Sequence, residues 1–570
     1  MNKKYLLLLS VLSGVLMALS WINVMSLGFV MLVAFVPLLF VEDCIAHDTH
    51  EGRFNYASAF TYSYPAFLIF TFSNTWWISK ASLIGYIVPI AEAAFMSIVF
   101  QCYSFSKKTA NGKQGSYFFI IFYWLAFEYI QFKWDINFPW LNLGNSFAAY
   151  PKLIQWYSVL GMEGGTLWIL TSNILAYFCI ISTYKNFVAE NSNFFNEYFN
   201  FFNKNFRNHT IFFQKYKYLI FAVLILAVPI TWSLILWNNY KDDYSKTANV
   251  LIVQPNLDPY NEQYILSPED VIERIKHLTE SQLDENTDFL VLPESCIQEY
   301  AWEDFLDSIP SIQTLKNIIS ITAKCNVIAG MSSKKLLPVG IKSDAARPVS
   351  NMPDRYYESC NTALMFDRYT SVKDMQLRHK SILVVGVEKL PFKKYLPFVE
   401  RFALNMGGTI GSLGTDREAL NFLTNDMQTR IGVPICWESI DGNYTRQFVK
   451  NGADFLQIIT NVGWWGDTEG YKQYFAISRL RAIENRRYVS VCANTGFSGL
   501  INAKGQILVK GKYWQQETFK YDVPLLNNQC FFTLHGDIIM RSFTFFAILL
   551  MLYSIVRHTT EKKRKTKINR

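Results

Sequence analysis

The sequence predicts two parts built for different solvents: an α-helical transmembrane bundle of about eight spans, and one α/β domain between the seventh and the eighth. Three observations lead there. Of 570 residues, 51% are hydrophobic and 16% aromatic, with only 18% charged, which is too apolar for an ordinary soluble chain of this size. The apolar residues gather in stretches close to the ~20 that a helix needs to cross a bilayer at ~1.5 Å per residue. Between the last two stretches, short β-rich runs alternate with helix-like ones, the pattern of a layered α/β domain.

The spans fall at 5–21, 24–41, 56–78, 82–105, 116–132, 160–182, 218–237 and 538–556. The first, with Lys3 and Lys4 before it and Ala18-Leu19-Ser20 at its end, also fits a cleavable signal peptide. A second apolar run follows almost at once, which favours a membrane hairpin. Basic flanks at Lys3 and Lys4, at Lys107, Lys108 and Lys113, in the 184–217 loop and in the tail from Lys562 to Arg570 alternate with an even span count. The positive-inside rule then puts both termini in the cytoplasm. The domains follow: 1–238 transmembrane with seven spans, 239–537 external, and 538–570 a last helix with a basic tail. The formal charge of +8 resides largely in these flanks, so it gives no reason to expect nucleic acid. The Asn/Phe-rich loop 191–206 reads as cytoplasmic.

Glu92, Glu128 and Glu163 lie inside apolar spans. Such carboxylates usually face a cavity or a partner, although Glu163, in Gly161-Met162-Glu163-Gly164-Gly165, also suits an interfacial position. The aromatic loop Asn137–Gly144 is expected at the external surface, in the headgroup layer, where it would shape a lipid entrance.

In the external block, strands are expected at 248–254, 288–292, 326–330, 361–366, 430–436, 454–460 and 488–494, and helices at 269–284, 311–325 and 470–486. The turn Asn502-Ala503-Lys504-Gly505-Gln506 predicts a late hairpin.

Chemistry enters with Val433–Ser439, an apolar run ending on Cys436 beside Glu438. A thiol becomes a nucleophile when a neighbour draws off its proton; a lone cysteine in an apolar run is otherwise a structural one. Glu294 follows the second strand, where a helix cap is the plain alternative, and Lys380 follows Arg378-His379, where it reads equally as a solvated base. Together they supply an acid, a base and a thiol at element ends, and functional side chains tend to gather at one end of such a sheet. The nine cysteines contain no C-x-x-C and the seven histidines are scattered, so neither a metal nor another cofactor is expected. Cys296, Cys325, Cys360, Cys436, Cys492 and Cys530 lie in the external block, where disulfides form; their pairing cannot be read, and a catalytic Cys436 has to stay free.

The order Pro293-Glu294, Lys380, Ile435-Cys436-Trp437-Glu438 resembles the nitrilase (carbon-nitrogen hydrolase) superfamily, whose members carry a Glu-Lys-Cys triad on an αββα sandwich. Seven spans before such a domain and one after look like the bacterial apolipoprotein N-acyltransferases. The likeness extends to Phe138-Pro139-Trp140-Leu141, Gly161-Met162-Glu163, Asn361-Thr362-Ala363-Leu364, Asn461 with Trp464-Trp465-Gly466, Ser478–Glu484 and Ala493–Gly496. The resemblance implies an enzyme of the bacterial inner membrane with its domain on the periplasmic side. It would move an acyl chain from a phospholipid to Cys436 as a thioester, then to the α-amine of the diacylglyceryl-cysteine of an apolipoprotein. It implies catalytic roles for Glu294, Lys380 and Cys436, support from Glu388, Glu438 and Asn361, and substrate binding by Trp437, Trp464, Trp465 and Asn461. Val462 and Val385 depart from the family pattern, which often has Asp and Pro there. The rival readings are a membrane-tethered amidase acting on small amides, and a transporter or sensor with an external ligand-binding domain.

Overall fold

The computed structural model describes residues 3–21, 25–50, 57–188, 212–322, 324–350, 352–392 and 412–568; the predicted loop 191–206 and the first residues of the second and third predicted spans lie outside them. Helices occupy each of the eight predicted places: Lys3–Leu19, Val36–His50, Ser58–Thr75, Ile87–Thr109, Phe119–Gln131, Tyr157–Val188, Phe212–Asn239 and Ile538–Ile568. Among the described residues, five stretches are long and apolar enough to cross a membrane: Gly28–Ala46, Ile87–Thr109, Tyr157–Thr183, Tyr216–Asn239 and Ile538–Arg564. Of the other three predicted spans, Lys3–Leu19 has 17 residues and Ser58–Thr75 has 18, near the ~17-residue lower limit for crossing. Phe119–Gln131 has 13 residues, about 20 Å of helix at ~1.5 Å per residue against a core of ~30 Å. The second span starts as a 3-10 turn at Gly28–Leu32 before the helix at Val36.

The Phe212–Asn239 and Ile538–Ile568 helices leave Leu219, Phe221, Val228, Phe545, Ile548 and Leu552 exposed. Apolar stripes of this kind suit lipid rather than water. The loop Asn137–Gly144 departs from expectation. It folds into 3-10 turns at Pro139–Leu141 and Leu143–Phe147 and is buried, with Trp140 fully so. Glu128 explains this: its Oε1 accepts the Leu143 N–H at 2.8 Å and its Oε2 the Thr166 hydroxyl at 2.8 Å. Glu92 accepts from the Gln131 amide at 2.7 Å. Glu163 follows a break at Gly161 (φ 66°), and it accepts from Asn443 of the α/β domain at 3.0 Å. The same break frees the Met162 N–H to donate to Glu484 at 3.1 Å.

The α/β domain contains two sheets. The strands are β1 (Thr247–Gln254), β2 (Phe289–Val291), β3 (Ile297–Trp302), β4 (Asn326–Leu336), β5 (Arg347–Pro348), β6 (Tyr356–Asp367), β7 (Gln376–His379), β8 (Phe422–Leu423), β9 (Arg430–Gly432), β10 (Phe455–Thr460), β11 (Val489–Ala493), β12 (Gly499–Ile501), β13 (Ile507–Lys510) and β14 (Glu517–Pro524). One sheet runs β14-β1-β2-β4-β6-β5, with β3 beside β4 and β7 beside β6; the other runs β13-β12-β11-β10-β9-β8. Strand alternation builds three apolar layers from them. Val250 and Ile252 of β1 face inward, to a core shared with Ile431, Phe455 and Ile459 of the second sheet. Leu251 and Val253 face outward, onto helices Pro268–Glu280 and Pro310–Ile318. On the far side, Leu456, Ile458, Val489 and Val491 pack on helices Gly442–Lys450 and Glu469–Asn485, and that layer continues without a break into the membrane helices. The order is helix, sheet, sheet, helix, then membrane bundle.

Candidate active site

Lys380 follows β7 directly, and its backbone N–H donates to the Asn361 carbonyl on β6 at 2.8 Å. Its ammonium lies 3.0 Å from Glu294 Oε1 and 3.0 Å from Glu388 Oε1. The Asn361 amide donates to the same two oxygens, at 2.8 Å each. Two donors and two acceptors thus close a ring around one point, with Lys380 fully buried. Burial works against the ammonium, but the Glu294 and Glu388 carboxylates outweigh it and hold the Lys380 pKa well above the usual lysine value. Glu388 closes its own turn by accepting the Val384 N–H at 2.9 Å.

Glu294 reaches this point because the chain after β2 passes hard against β4. A Cβ on Gly330 would stand 2.6 Å from Glu294 Cα and 2.8 Å from the Pro293 carbonyl oxygen, so a side chain at 330 would push the turn away. Glu294 Oε2 accepts the Asn461 N–H at 2.9 Å.

The predicted strand 430–436 is shorter than expected, ending at Gly432, and Cys436 opens a 3-10 turn at Cys436–Ile440 instead. Its φ of 46° is uncommon for a side chain with a Cβ and costs about 1–2 kcal/mol. Glu438 holds the turn: its carboxylate accepts the Ile435 N–H at 2.7 Å and the Ser381 N–H at 2.6 Å, and pairs with Arg378. The Cys436 carbonyl accepts from Ser439 at 2.8 Å and from Tyr474 at 2.9 Å. Burial and then the Glu294 carboxylate push the thiol up to about 12 against the pull of Lys380. The resting cysteine is therefore a thiol. The Lys380 ammonium does not make a standing thiolate here, because burial and the Glu294 carboxylate outweigh its pull.

Of the residues expected to bind substrate, Trp437 stacks on Trp140 with ring centroids 5.5 Å apart and on Phe138 at 5.9 Å. Trp465 packs on Trp77 at 4.5 Å and on Trp140 at 5.6 Å. Both lie in an aromatic seam between the thiol turn and the membrane helices. Trp464 packs edge-on against Tyr260 at 5.3 Å, and its carbonyl accepts the Tyr260 hydroxyl at 2.6 Å. The Asn461 amide donates to Gln263 at 2.5 Å and its side-chain oxygen accepts from Asn494 at 3.4 Å. It is thus committed to holding the Glu294 turn rather than open to substrate. Val462 is buried in the apolar layer over the second sheet, where an Asp would be desolvated. Val385 bridges Lys389 in the turn that presents Glu388.

Sequence reasoning missed Tyr264, in the loop after β1, whose hydroxyl bonds Ser295, the residue after Glu294. It also missed the acidic partners of His379: Asp416 at 2.7 Å and Glu303 at 2.9 Å. The run of three bases at 378–380 was the available signal. Donor atoms of Glu303, Cys360 and His379 lie within 4.8 Å of one another, a juxtaposition invisible in linear spacing, though both ring nitrogens already face carboxylates. The six cysteines of the α/β domain form no disulfide in the described residues.

A Glu-Lys-Cys cluster at the strand ends of an αββα sandwich, joined to a helical membrane part, defines a carbon-nitrogen hydrolase domain adapted to a bilayer. Residues 250–527 match the carbon-nitrogen hydrolase family, and residues 13–175 match the apolipoprotein N-acyltransferase N-terminal domain. Together the two matches make most of the chain similar to the apolipoprotein N-acyltransferases. It is 27% identical to an apolipoprotein N-acyltransferase of Chlorobaculum tepidum, over 92% of this chain and 91% of that one. It is 23% identical to one of Geobacter metallireducens, over 93% and 92%. Nit3 of Saccharomyces cerevisiae, a nitrilase-superfamily protein of solved structure, is similar at 16% identity over 49% of this chain and 91% of that one, with a TM-score of 0.34.

Proposed function

We propose that this protein is an acyltransferase of lipoprotein maturation, which takes an acyl chain from a membrane phospholipid and delivers it to the α-amine of an apolipoprotein's diacylglyceryl-cysteine. In the first half-reaction Cys436 Sγ attacks the ester carbonyl while Glu294 takes the thiol proton. Lys380 stabilises the oxyanion, and the proton passes to the departing lysophospholipid hydroxyl as its C–O bond breaks. In the second, the amine attacks the thioester, Glu294 takes a proton from it, and Cys436 leaves as a thiol with the amide formed. Acceptor and donor occupy the enzyme in turn, so the kinetics are ping-pong.

Because the thiol rests protonated, proton transfer accompanies attack, and an idle enzyme holds little thiolate to be oxidised. Asn361, Glu388 and Glu438 act as positioning residues. The domain boundaries near 238 and 537 and a periplasmic domain at the inner membrane belong to the same reading.

The observation that carries it is the seam: Trp437, next to the nucleophile, stacks on Trp140 of the membrane part. The thiol turn therefore sits at the junction with the bundle. A tethered amidase has no use for that junction. The test is intact mass spectrometry of the protein after incubation with phospholipid alone. An acyl-sized, hydroxylamine-labile increase that vanishes in Cys436→Ser supports the reading; none over many equivalents of phospholipid rejects it.

A further inference from the structure

Residues 378–380 are three consecutive bases, and each meets carboxylates from other segments: Arg378 meets Glu438, His379 meets Glu303 and Asp416, and Lys380 meets Glu294 and Glu388. The middle one is held most completely. His379 Nδ1 lies 2.7 Å from Asp416 Oδ1 and Nε2 lies 2.9 Å from Glu303 Oε1, while Asp416 Oδ2 accepts the His379 backbone N–H at 2.7 Å. A neutral imidazole donates from one nitrogen and turns a lone pair toward the second carboxylate; only the doubly protonated ring satisfies both. Other groups face it too. Lys335 stands 3.8 Å from Asp416, the Cys360 thiol adjoins the ring and Glu303, and Arg378 donates to the His379 carbonyl at 3.3 Å. Ser333 donates to Glu303 Oε1 at 2.6 Å. Burial alone would lower the ring's pKa, but Asp416 and Glu303 raise it to about 9.

These contacts join three segments. Glu303 opens the turn after β3. Asp416 follows Gly414, which bridges Cys360 on β6, and Leu413, whose N–H donates to the Glu388 carbonyl at 3.0 Å. The ring thus ties both segments to the residue before Lys380, and one of them also touches Lys380's own partner. We infer that His379 is a positioning residue, a clamp that keeps Lys380 seated between Glu294 and Glu388 while its ring is doubly protonated, and so makes thioester formation pH-dependent. When the ring loses a proton, one carboxylate faces a bare nitrogen and the end of β7 loses an anchor. The inference rests on Lys380 as the oxyanion partner.

The test is the rate of acyl-enzyme formation by the full-length protein in detergent–phospholipid micelles, read by quenched intact mass spectrometry from pH 6 to 10. The wild-type rate should be flat from pH 6 to 8 and fall about tenfold by pH 10, one unit above a midpoint near 9. Asp416→Asn should lower that midpoint by about one unit or more, since a close opposite charge shifts a pKa by about 1–3 units. His379→Gln should be slower at pH 7 and lack the inflection. A merely structural role would lower the melting temperature without moving the midpoint. A midpoint unmoved in Asp416→Asn overturns the inference, and it decides the matter even where the Gln variant cannot be purified. Failure of the underlying reading is separate: it shows as acyl-enzyme in Cys436→Ser, or none in the wild type.

Discussion

Arg378 and Glu438 form an ion pair in which both side chains are buried, about 1% and 0% exposed, and it joins β7, which ends beside Lys380, to the turn that presents Cys436. Glu438 also accepts the N–H groups of Ile435 and Ser381. One carboxylate thereby fixes the thiol turn and the lysine turn relative to each other without touching the reacting atoms. Arg378 packs over the Phe448 ring at 4.9 Å, so the pair is closed to water on that side.

Removing one partner should therefore be costly. Arg378→Met leaves Glu438 charged and unpaired, and breaking a buried pair in this way costs about 3–5 kcal/mol. Burial already pushes the Glu438 carboxyl up despite Arg378; losing the arginine pushes it further and should loosen the Cys436 turn. Urea unfolding monitored by tryptophan fluorescence checks this; a loss under about 1 kcal/mol would make the pair dispensable.

Cys436 carries a second, independent expectation. Its left-handed φ of 46° suits glycine better than alanine. Cys436→Gly should melt no lower than Cys436→Ala, the reverse of the order expected for an ordinary buried side chain, and both should lack the acyl-enzyme. A clearly less stable glycine variant would mean the backbone is unstrained there.

Lys380→Ala should slow thioester formation by about 10²–10³, the usual loss for a main oxyanion donor. Lys380→Arg should not restore it. The planar guanidinium cannot replace a point charge held 3.0 Å from both Glu294 and Glu388. Rapid-quench measurement of the first half-reaction separates this from effects on the acceptor; full rescue by arginine would demote Lys380 to a generic cation.

The sandwich was legible because short β-rich or apolar runs such as 248–254 alternate with helix-like stretches; which face of β1 meets which layer was not, since Val250, Leu251, Ile252 and Val253 are all apolar and buried on both faces. The grouping proposed as a triad was legible through element ends, since Glu294, Lys380 and Cys436 each follow a strand. What the sequence hid was contact between distant segments. Nothing in the linear order joins Asp416 and Glu303 to His379, or commits Asn461 to Gln263. The Asn137–Gly144 loop misled for a related reason: its aromatic residues fit a headgroup layer as well as a protein seam, and the deciding bonds come from Glu128 and Gln473, the latter accepting from Trp140 Nε1 at 2.8 Å.

Stability should also report the His379 clamp. Its pKa is raised from 6.5 to about 9 in the folded protein, so its contribution is fully present below about pH 6.5 and is lost as pH rises through 9. The difference of about 2.5 units corresponds to about 3 kcal/mol. The gap in melting temperature between wild type and His379→Gln should be widest at pH 6 and close by pH 10. A gap that widens with pH would give the linkage the wrong sign.

The last expectation is topological, because lipid access depends on the side the domain occupies. The Phe212–Asn239 helix leads into β1 within a few residues, and the Ile538–Ile568 helix begins shortly after β14. The two helices therefore meet the membrane from the domain's side. The basic tail from Lys562 lies at the far end of a helix of 31 residues, about 46 Å long at ~1.5 Å per residue, enough to carry it across the bilayer. If its charge retains that tail in the cytoplasm, the expectation is that residues 239–537 lie outside. A reporter active only outside the cytoplasm should work when fused after Asn256 and stay silent when fused after Arg570. The opposite pattern would put Cys436 on the cytoplasmic face, away from exported lipoprotein precursors, and would leave the thiol, however reactive, without the acceptor proposed for it.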